Sequence, residues 1–341
     1  MATMKQVAER AGVSTSTVSH VINNTRAVSE DVRQRVLAVI DEMRYIPSAV
    51  ARSLKNDKTH TIGVSVPDNT DPAIAELLRG IEDAAFAAGY TIMLCNGYDD
   101  PQRQAAHLRG LIERRIDGLV LVAGSARDEL APLLAGQRVP VVLADHDVAA
   151  DLDLIGLDHE ATGYAATRHL LELGHKRIAC LAGPARHPAT RERLAGCRRA
   201  LDEAGLGLDP ACVAHVAPDC QGGHEGARRL LALDRAPTAL FACSDLMALG
   251  ALRAAQEAGL RVPEDLSVVG ACGLEMAAFS TPRLSTVTQP IYQMGHALTA
   301  LLLQRIRGEQ PPRRRERLRG QLVVRDSSAR PPVRRLLAAA S

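Results

Sequence analysis

The first part of the chain, residues 1–46, carries apolar side chains at helical spacing and shows no alternating pattern, which predicts helices alone. Thr3 is positioned to cap the first helix, and Gly12 provides the left-handed turn that follows it. A second helix is predicted over residues 14–23. A third begins after Ser29, with acidic residues in its first turn. Three short helices in this length predict a small all-α domain.

From residue 61 the pattern changes to short apolar runs that alternate with amphipathic helices. Apolar strands between helices are typical of parallel sheets covered on both faces. Eleven strands suit two α/β lobes better than one sheet. We expect an N-lobe of residues 61–160 plus 290–328 and a C-lobe of residues 161–289. The predicted strands are 61–67, 91–96, 118–122, 139–143, 154–157, 177–182, 213–216, 239–243, 266–270, 286–289 and 321–324.

Three segments fall outside these domains or are ambiguous. Residues 47–60 predict a two-turn helix and a linker, and an isolated helix of that length is marginal in water. The Arg-rich stretch 313–319 is interpreted as a solvated connection into the last strand rather than as a second DNA site. Residues 329–341 hold Pro, Arg and Ala without a heptad repeat, which predicts a disordered tail.

Composition places the chain in the cytoplasm. Apolar residues make up 46% of the sequence, yet no run approaches the roughly 18 residues of a membrane span. The N-terminus carries no apolar stretch of the secretory type. Seven scattered cysteines without a CxxC pair predict reduced thiols, with neither a disulfide framework nor a metal site. We expect no membrane association and no cofactor.

Charge is distributed unevenly. Residues 1–60 hold nine Lys/Arg and six Asp/Glu, a balance of +3, whereas residues 61–304 hold 21 and 30, a balance of −9. A basic head on an acidic body is typical of a head that meets phosphate and a body that does not.

One arc of the second predicted helix is apolar, and the opposite arc carries only short hydrogen-bonding side chains. Such a face suits the DNA major groove, where base edges offer donors and acceptors. An ordinary solvated face is the alternative that composition alone leaves open. The polar arc consists of Thr15, Ser16, Ser19, His20 and Asn23.

The segment from MATMKQ to ARSLK strongly resembles the head of the lactose-repressor (LacI) family, above all in AGVSTSTVSHVIN and PSAVARSLK. The similarity continues to about residue 328, and the ribose and purine repressors look closest. It implies a helix-turn-helix domain in residues 1–46, a hinge helix in 47–60, and a periplasmic-binding-protein-like body of two doubly wound parallel-sheet lobes in 61–328. It also implies a homodimer on palindromic double-stranded operator DNA, because the C-terminal heptads of tetrameric relatives are missing.

The resemblance assigns roles within the head. Thr15, Ser16 and His20 should contact base edges. Ser14, Thr17, Ser19 and Asn23 should bind phosphates or complete the turn. In the hinge, Ala51 should face a second copy, Leu54 should wedge into the minor groove, and Lys55 should contact DNA.

The resemblance also implies a small-molecule effector between the lobes, at the carboxyl ends of the strands, where open α/β sheets bind ligands. Arg193, in ATRERLAG, matches the family's ligand arginine. The predicted effector-binding residues are Asn69, Ala73, Ile74, Asp145, His146, Asp158, Arg191, Arg193, Pro218, Ser244, Asp245 and Cys272.

The candidate pocket departs from its relatives. The positions at which sugar and purine sensors stack their ligand on aromatic rings hold Ala73, Ile74, His146 and Pro218. The usual aspartate falls on Cys272, and the usual asparagine on Ser244. A pocket that keeps Arg193 while losing rings and acidic groups favours a sugar acid or sugar phosphate over a neutral sugar such as ribose; both stay open.

Rival classes lack their sequence signatures. The chain shows no Walker loop, no GxGxxG after a first strand, no HExxH and no nucleophile elbow, so we expect no enzyme. A periplasmic transport receptor would lack residues 1–60, and an architectural DNA binder would not need a two-lobed body. The expected function is a repressor of a carbon-catabolism operon. The alternative is a purine-responsive or activating regulator of the same family.

Overall fold

The structure, a computed structural model, describes residues 2–46, 58–98, 100–122, 130, 132–134, 139–145, 151–309 and 311–332. Two compact units make up the chain, Met1–Thr59 and His60–Ser341. Among the described residues, no helix is long and apolar enough to cross a bilayer.

The first unit is the predicted helical domain, with α1 (Met4–Ala11), α2 (Thr15–Asn23) and α3 (Glu30–Glu42). Thr3 caps α1 in a reciprocal capping box with Gln6, and Gly12 follows at φ 65°. Ser29 stands at the N-cap of α3 but makes no side-chain cap hydrogen bond. Valines from all three helices form the core of this unit.

The second unit alternates strands and helices as predicted. Its elements in chain order are β1 (Thr61–Val66), α4 (Pro72–Ala87), β2 (Thr91–Asn96), α5 (Pro101–Glu113), β3 (Gly118–Val122), β4 (Val141–Ala144), β5 (Asp153–Leu157), α6 (His159–Glu172), β6 (Ile178–Ala182), α7 (Pro188–Glu203), β7 (Val213–His215), α8 (Cys220–Leu231), β8 (Ala239–Ala242), α9 (Asp245–Glu257), β9 (Ser267–Cys272), β10 (Ser285–Thr288), α10 (Ile291–Ile306), β11 (Arg315–Leu318) and β12 (Gln321–Val323).

The strands form two six-stranded sheets, in the orders β11-β5-β4-β3-β1-β2 and β12-β10-β9-β8-β6-β7. All pairings are parallel except that of β12 with β10. The chain passes between the sheets after β5, after β10 and after β11. This is the expected body of two doubly wound lobes joined by three crossing segments.

Two expectations about the C-terminal part were wrong. The stretch 313–319 contains the edge strand β11, because Asp153 holds Arg313 and the Arg314 amide beside β5. Residues 321–328 were assigned to the N-lobe, but β12 pairs with β10 in the other sheet, so the return to the first lobe ends near residue 320.

The predicted tail begins as ordered chain. The Ala329 amide donates to Ser267 Oγ at 3.0 Å, and the Ala329 carbonyl lies 2.9 Å from His175 Nε2. Residue 329 is therefore anchored to the second lobe. Residues 333–341 lie outside the described residues.

Two glycines let α6 and α7 approach closely enough to position the site described below. A Cβ at Gly163 would stand 1.9 Å from the Arg193 carbonyl oxygen, and a Cβ at Gly196 would stand 1.9 Å from the Glu160 carbonyl oxygen. Only glycine allows this backbone contact, and it sets the depth of α7 beside α6.

Candidate functional site

The polar face of α2 lies on the surface of the helical domain. Thr15 and Ser16 are exposed, whereas Ser19, His20 and Asn23 are half-buried. On the opposite face Val18 and Val21 are buried in the core. The predicted division of this helix into a packed arc and a polar arc is confirmed by the burial.

Side chains of this face are held by short-range hydrogen bonds. Ser14 is the N-cap of α2, accepts from the Thr17 amide at 3.1 Å and lies 2.7 Å from Ser16 Oγ. His20 Nδ1 lies 2.9 Å from Thr25 Oγ1. A contact with a base that breaks one of these hydrogen bonds must form another hydrogen bond in its place if it is to be favourable.

Asn23 donates to the Ser19 carbonyl at 2.9 Å, which ties the last turn of the helix together. Ser14 and Asn23 thus stabilise the ends of α2. The hinge candidates Ala51, Leu54 and Lys55 lie outside the described residues.

The second candidate site is the cleft between the lobes. Asp71, after β1 in the first lobe, is close enough to interact electrostatically with Arg193 and Cys272 of the second lobe. A cavity of about 850 Å³ opens beside them, lined from the first lobe by Pro72 and from the second by Cys272. Carboxyl ends of strands from both sheets therefore meet at one opening, as the sequence predicts.

Arg193 reaches this cleft from α7. Its Nη1 donates to the Cys243 carbonyl at the end of β8, and its Nε is buried without a hydrogen-bond partner among the described residues. A buried, unpaired donor of this kind costs free energy unless a ligand or water accepts from it. Arg193 is the strongest ligand-binding candidate in the chain.

Two amides present acceptors in the same region. Asn96, at the end of β2, donates to Asn69 Oδ1 at 2.7 Å, and Gln289, after β10, donates to Thr162 Oγ1 at 3.2 Å. The oxygens Asn96 Oδ1 and Gln289 Oε1 are both buried and unpaired within the described part of the chain. Each calls for a donor such as a hydroxyl group.

Asp145 ends β4 in the left-handed region, with φ 68°. Both of its carboxylate oxygens lie 2.9 Å from His159 Nε2, and Oδ1 also accepts from the Leu157 amide at 3.0 Å. Burial lowers the pKa of His159, although Asp145 opposes the shift. A neutral imidazole that donates from Nε2 therefore orients this carboxylate.

Asp245, the first residue of α9, is fully buried. It accepts from Thr286 Oγ1 at 2.6 Å and from the Leu274 amide at 2.7 Å. Burial raises its pKa, against the effect of these hydrogen bonds. The carboxylate thus holds the loop after β9 in place, and the prediction of direct effector contact gains no support from its geometry.

Cys272 ends β9 with φ 128° and lines the cavity. Burial raises the pKa of its thiol to about 12, so the group is neutral at physiological pH. At the position where the resemblance implies a carboxylate, this chain offers the cleft a weak, uncharged hydrogen-bonding group.

The remaining predicted residues have other contacts. Arg191 is exposed and donates to the carbonyls of Ala185 and Arg186, so its guanidinium stabilises the loop that precedes α7. Asp158 and Ser244 serve as N-caps of α6 and α9. The other positions are Ala73 and Ile74, which pack partly on the first-lobe core, the exposed Pro218, and His146, which lies outside the described residues.

The prediction missed Gln289 and His159. Gln289 is the last residue of the predicted strand 286–289, so the strand-end rule that selected the other candidates applies to it as well. His159 begins a helix across the lobe boundary from Asp145, and no local signal pairs two residues 14 apart in that way.

Comparison with known proteins identifies the family of both domains. Residues 3–48 match the family model "Bacterial regulatory proteins, lacI family", and residues 167–328 match "Periplasmic binding protein-like domain". The HTH-type transcriptional repressor PurR of Photobacterium profundum is 39% identical over 329 residues, which cover 96% of this chain and 98% of the relative. PurR of Haemophilus influenzae is 42% identical over 308 residues, 90% of this chain and 91% of the relative.

Solved structures are similar over the same length. The lac repressor dimer bound to operator and the anti-inducer ONPF has a TM-score of 0.88 at 30% identity and covers 96% of this chain and 99% of its own. The complex of the transcriptional regulator CelR with cellobiose has a TM-score of 0.73 at 33% identity and covers 96% and 100%. A LacI-family regulator from Enterococcus faecium with bound ribose has a TM-score of 0.72 at 34% identity and covers 79% and 99%.

Proposed function

The chain belongs to the lacI family of bacterial DNA-binding transcriptional regulators, and on that premise we propose that it represses a carbon-catabolism operon in the cytoplasm. It binds a palindromic operator as a homodimer, and a sugar-like effector held between the lobes controls operator affinity. The observation that carries the effector proposal is the buried, unpaired Nε of Arg193, which interacts electrostatically with Cys272 on the cavity wall, where Gln289 also has a buried, unpaired oxygen.

A neutral sugar fits this cleft better than a sugar acid or sugar phosphate. The guanidinium of Arg193 interacts electrostatically with the carboxylates of Asp71, Asp145 and Asp245, so its positive charge is already balanced by acidic groups of this chain. Arg191, the other arginine among the predicted effector-binding residues, donates to carbonyls of the loop before α7 instead. Added negative charge would meet these carboxylates, whereas hydroxyl groups can both donate to the amide oxygens and accept from Arg193.

A thermal-shift screen tests the ligand class. Sugars, sugar acids, sugar phosphates and purines are compared, because a ligand at 100 times its Kd adds about 2.7 kcal/mol of stability. We expect a neutral sugar to raise the Tm. Stabilisation by a purine alone would contradict the proposed effector while leaving operator binding intact.

Replacing Arg193 should remove most of the response to that sugar. Arg193→Ala deletes a charge-assisted hydrogen bond of about 1.5–3 kcal/mol, which corresponds to an affinity loss of about 10- to 150-fold. Calorimetric titration measures the loss, and operator affinity without ligand should stay near that of the parent. Arg199→Ala is the matched control, since Arg199 lies on the same helix and pairs with Glu160 on the surface. Equal sugar affinity in both variants would place the effector elsewhere.

Replacing His20 should relax operator specificity. His20→Ala removes a side chain of the polar face of α2, and one good base contact discriminates by about 1–3 kcal/mol. The measurement is the preference profile over a library in which each operator position is varied. Lys55→Ala should instead weaken all sequences evenly. An unchanged profile for His20→Ala would show that α2 does not read bases through this residue.

A further inference from the structure

Arg317 lies on β11, the edge strand that the sequence pattern did not predict. Its Nη1 donates to the Asp145 carbonyl at 3.1 Å and to the Leu157 carbonyl at 2.9 Å, two backbone groups of the first lobe. The same nitrogen lies 3.6 Å from Glu192 Oε2 on α7 of the second lobe. One guanidinium thus connects the backbone beneath Asp145 with the helix that carries Arg193.

The ion-pair partner of Arg317 is Glu192, which lies on α7 next to the ligand-binding candidate. Glu192 directly precedes Arg193, whose guanidinium reaches the Cys243 carbonyl inside the cleft. Consecutive residues of a helix point about 100° apart, so one turn of α7 presents one side chain to the cleft and the next to the first lobe. Any rotation of α7 that follows ligand binding at Arg193 changes the distance between Glu192 and Arg317.

The ends of β4 and β5 approach each other closely beside Arg317. A Cβ at Gly156 would stand 2.5 Å from the Asp145 carbonyl oxygen, so β4 and β5 come together only because residue 156 is glycine. Their ends then present two carbonyls to Arg317 at once. Arg319, two residues further along, pairs with Asp158 at 3.1 Å in the adjacent crossing segment. Arg317 and Arg319 therefore bind this C-terminal part of the chain to the segment through which the chain passes from the first lobe to the second.

We infer that Arg317 is a positioning residue that, through Glu192, couples occupancy of the cleft to the angle between the two lobes. The inference rests on the proposed function in so far as the ligand signal passes through Arg193. The ion pair stabilises the lobe arrangement of this structure. A ligand that favours another arrangement must break the pair, and one that favours this arrangement gains from it.

The expected effect is small but specific. Both side chains are partly exposed, 40% for Arg317 and 35% for Glu192, and pairs in such settings contribute little. Glu192→Gln and Arg317→Gln should each shift the sugar concentration that half-releases the operator by about two- to five-fold. The double variant should shift this sugar concentration no further than Arg317→Gln alone does, because both substitutions break the same ion pair.

The matched control is Arg253–Glu257, an ion pair of the same chemistry within the single helix α9. Arg253→Gln and Glu257→Gln should leave the half-release concentration unchanged. Additive shifts from Glu192→Gln and Arg317→Gln, or an equal shift in the control pair, would overturn the inference.

A measurement without ligand separates this inference from the proposed effector. Hydrogen–deuterium exchange of the full chain reports peptides that cover residues 151–160, where the Leu157 amide bonds to Asp145. Exchange there should be about two- to five-fold faster in Glu192→Gln and in Arg317→Gln than in the parent or in Arg253→Gln. Unchanged exchange in both variants contradicts the positioning role. Faster exchange in a protein that answers no tested sugar supports that role and contradicts the proposed ligand class. Glu192→Gln keeps the Arg317 backbone contacts, so it remains informative if Arg317→Gln does not fold.

Discussion

Raising the salt concentration from 50 to 200 mM is expected to weaken operator binding by about 10³- to 10⁵-fold for a dimer that makes about 6–10 phosphate contacts. Residues 1–60 carry nine Lys/Arg and six Asp/Glu and contain the lacI-family match, so we expect the head to make these phosphate contacts. Each neutralised phosphate releases condensed counterions, and salt reduces the gain from that release. Fluorescence anisotropy with a labelled palindromic site, selected from a random DNA pool, measures the slope of affinity against salt.

Removing residues 1–59 is the control for that experiment. The remaining chain is a separate compact unit with its own two sheets, so it should fold without the head. It should not bind the selected site at any salt concentration. Binding by the truncated body, or an affinity of the full chain that does not depend on salt, would contradict the assignment of DNA binding to the head.

Asp153→Asn is expected to destabilise the body by about 3–5 kcal/mol, the usual effect of breaking a buried ion pair from one side. The Asp153 side chain is fully buried and accepts from Arg305 at 2.9 and 3.0 Å, from Arg313 at 3.2 Å and from the Arg314 amide at 2.9 Å. Asparagine keeps the shape but leaves the Arg305 guanidinium, itself only 11% exposed, without its counter-charge. Urea unfolding measures the loss.

The matched control for Asp153→Asn is Asp326→Asn. Asp326 also binds an arginine through both oxygens, with contacts of 2.6 and 3.1 Å to Arg283, but this pair lies at the surface. Exposed pairs are screened by water and contribute little, so the control should unfold near the parent midpoint. Equal losses in the two variants would show that burial at Asp153 is not the cause.

The local sequence pattern was sufficient to predict the helices of the head. The N-cap at Thr3, the left-handed Gly12 and the valine spacing of α2 act within a few residues of chain, and the structure confirms each of them. The same holds for the eleven predicted strands, because most of them are buried along nearly their whole length and such strands are largely apolar. The family itself could be recognised from two sequence motifs.

The strand β11 could not be predicted in this way. Its four residues, Arg315–Leu318, alternate in exposure at the edge of the first sheet and contain no apolar run. Its position depends on the buried carboxylate of Asp153, which lies about 160 residues earlier in the chain. The lobe boundary was misplaced for the same reason, since the pairing of β12 is a choice between two distant sheets.

The sequence by itself determined the domain order, the polar face of α2 and the sheet edges at which we propose that a ligand binds, because these depend on periodicity and on chain direction. Only the tertiary structure decided which polar side chains are available there. Arg191 and Arg193 are the same residue type on one helix, yet the first closes its own loop and the second enters the cleft with an unpaired Nε. A polar side chain forms its hydrogen bonds with the partners that lie nearest in space. The fold, rather than the local sequence, determines which partners these are.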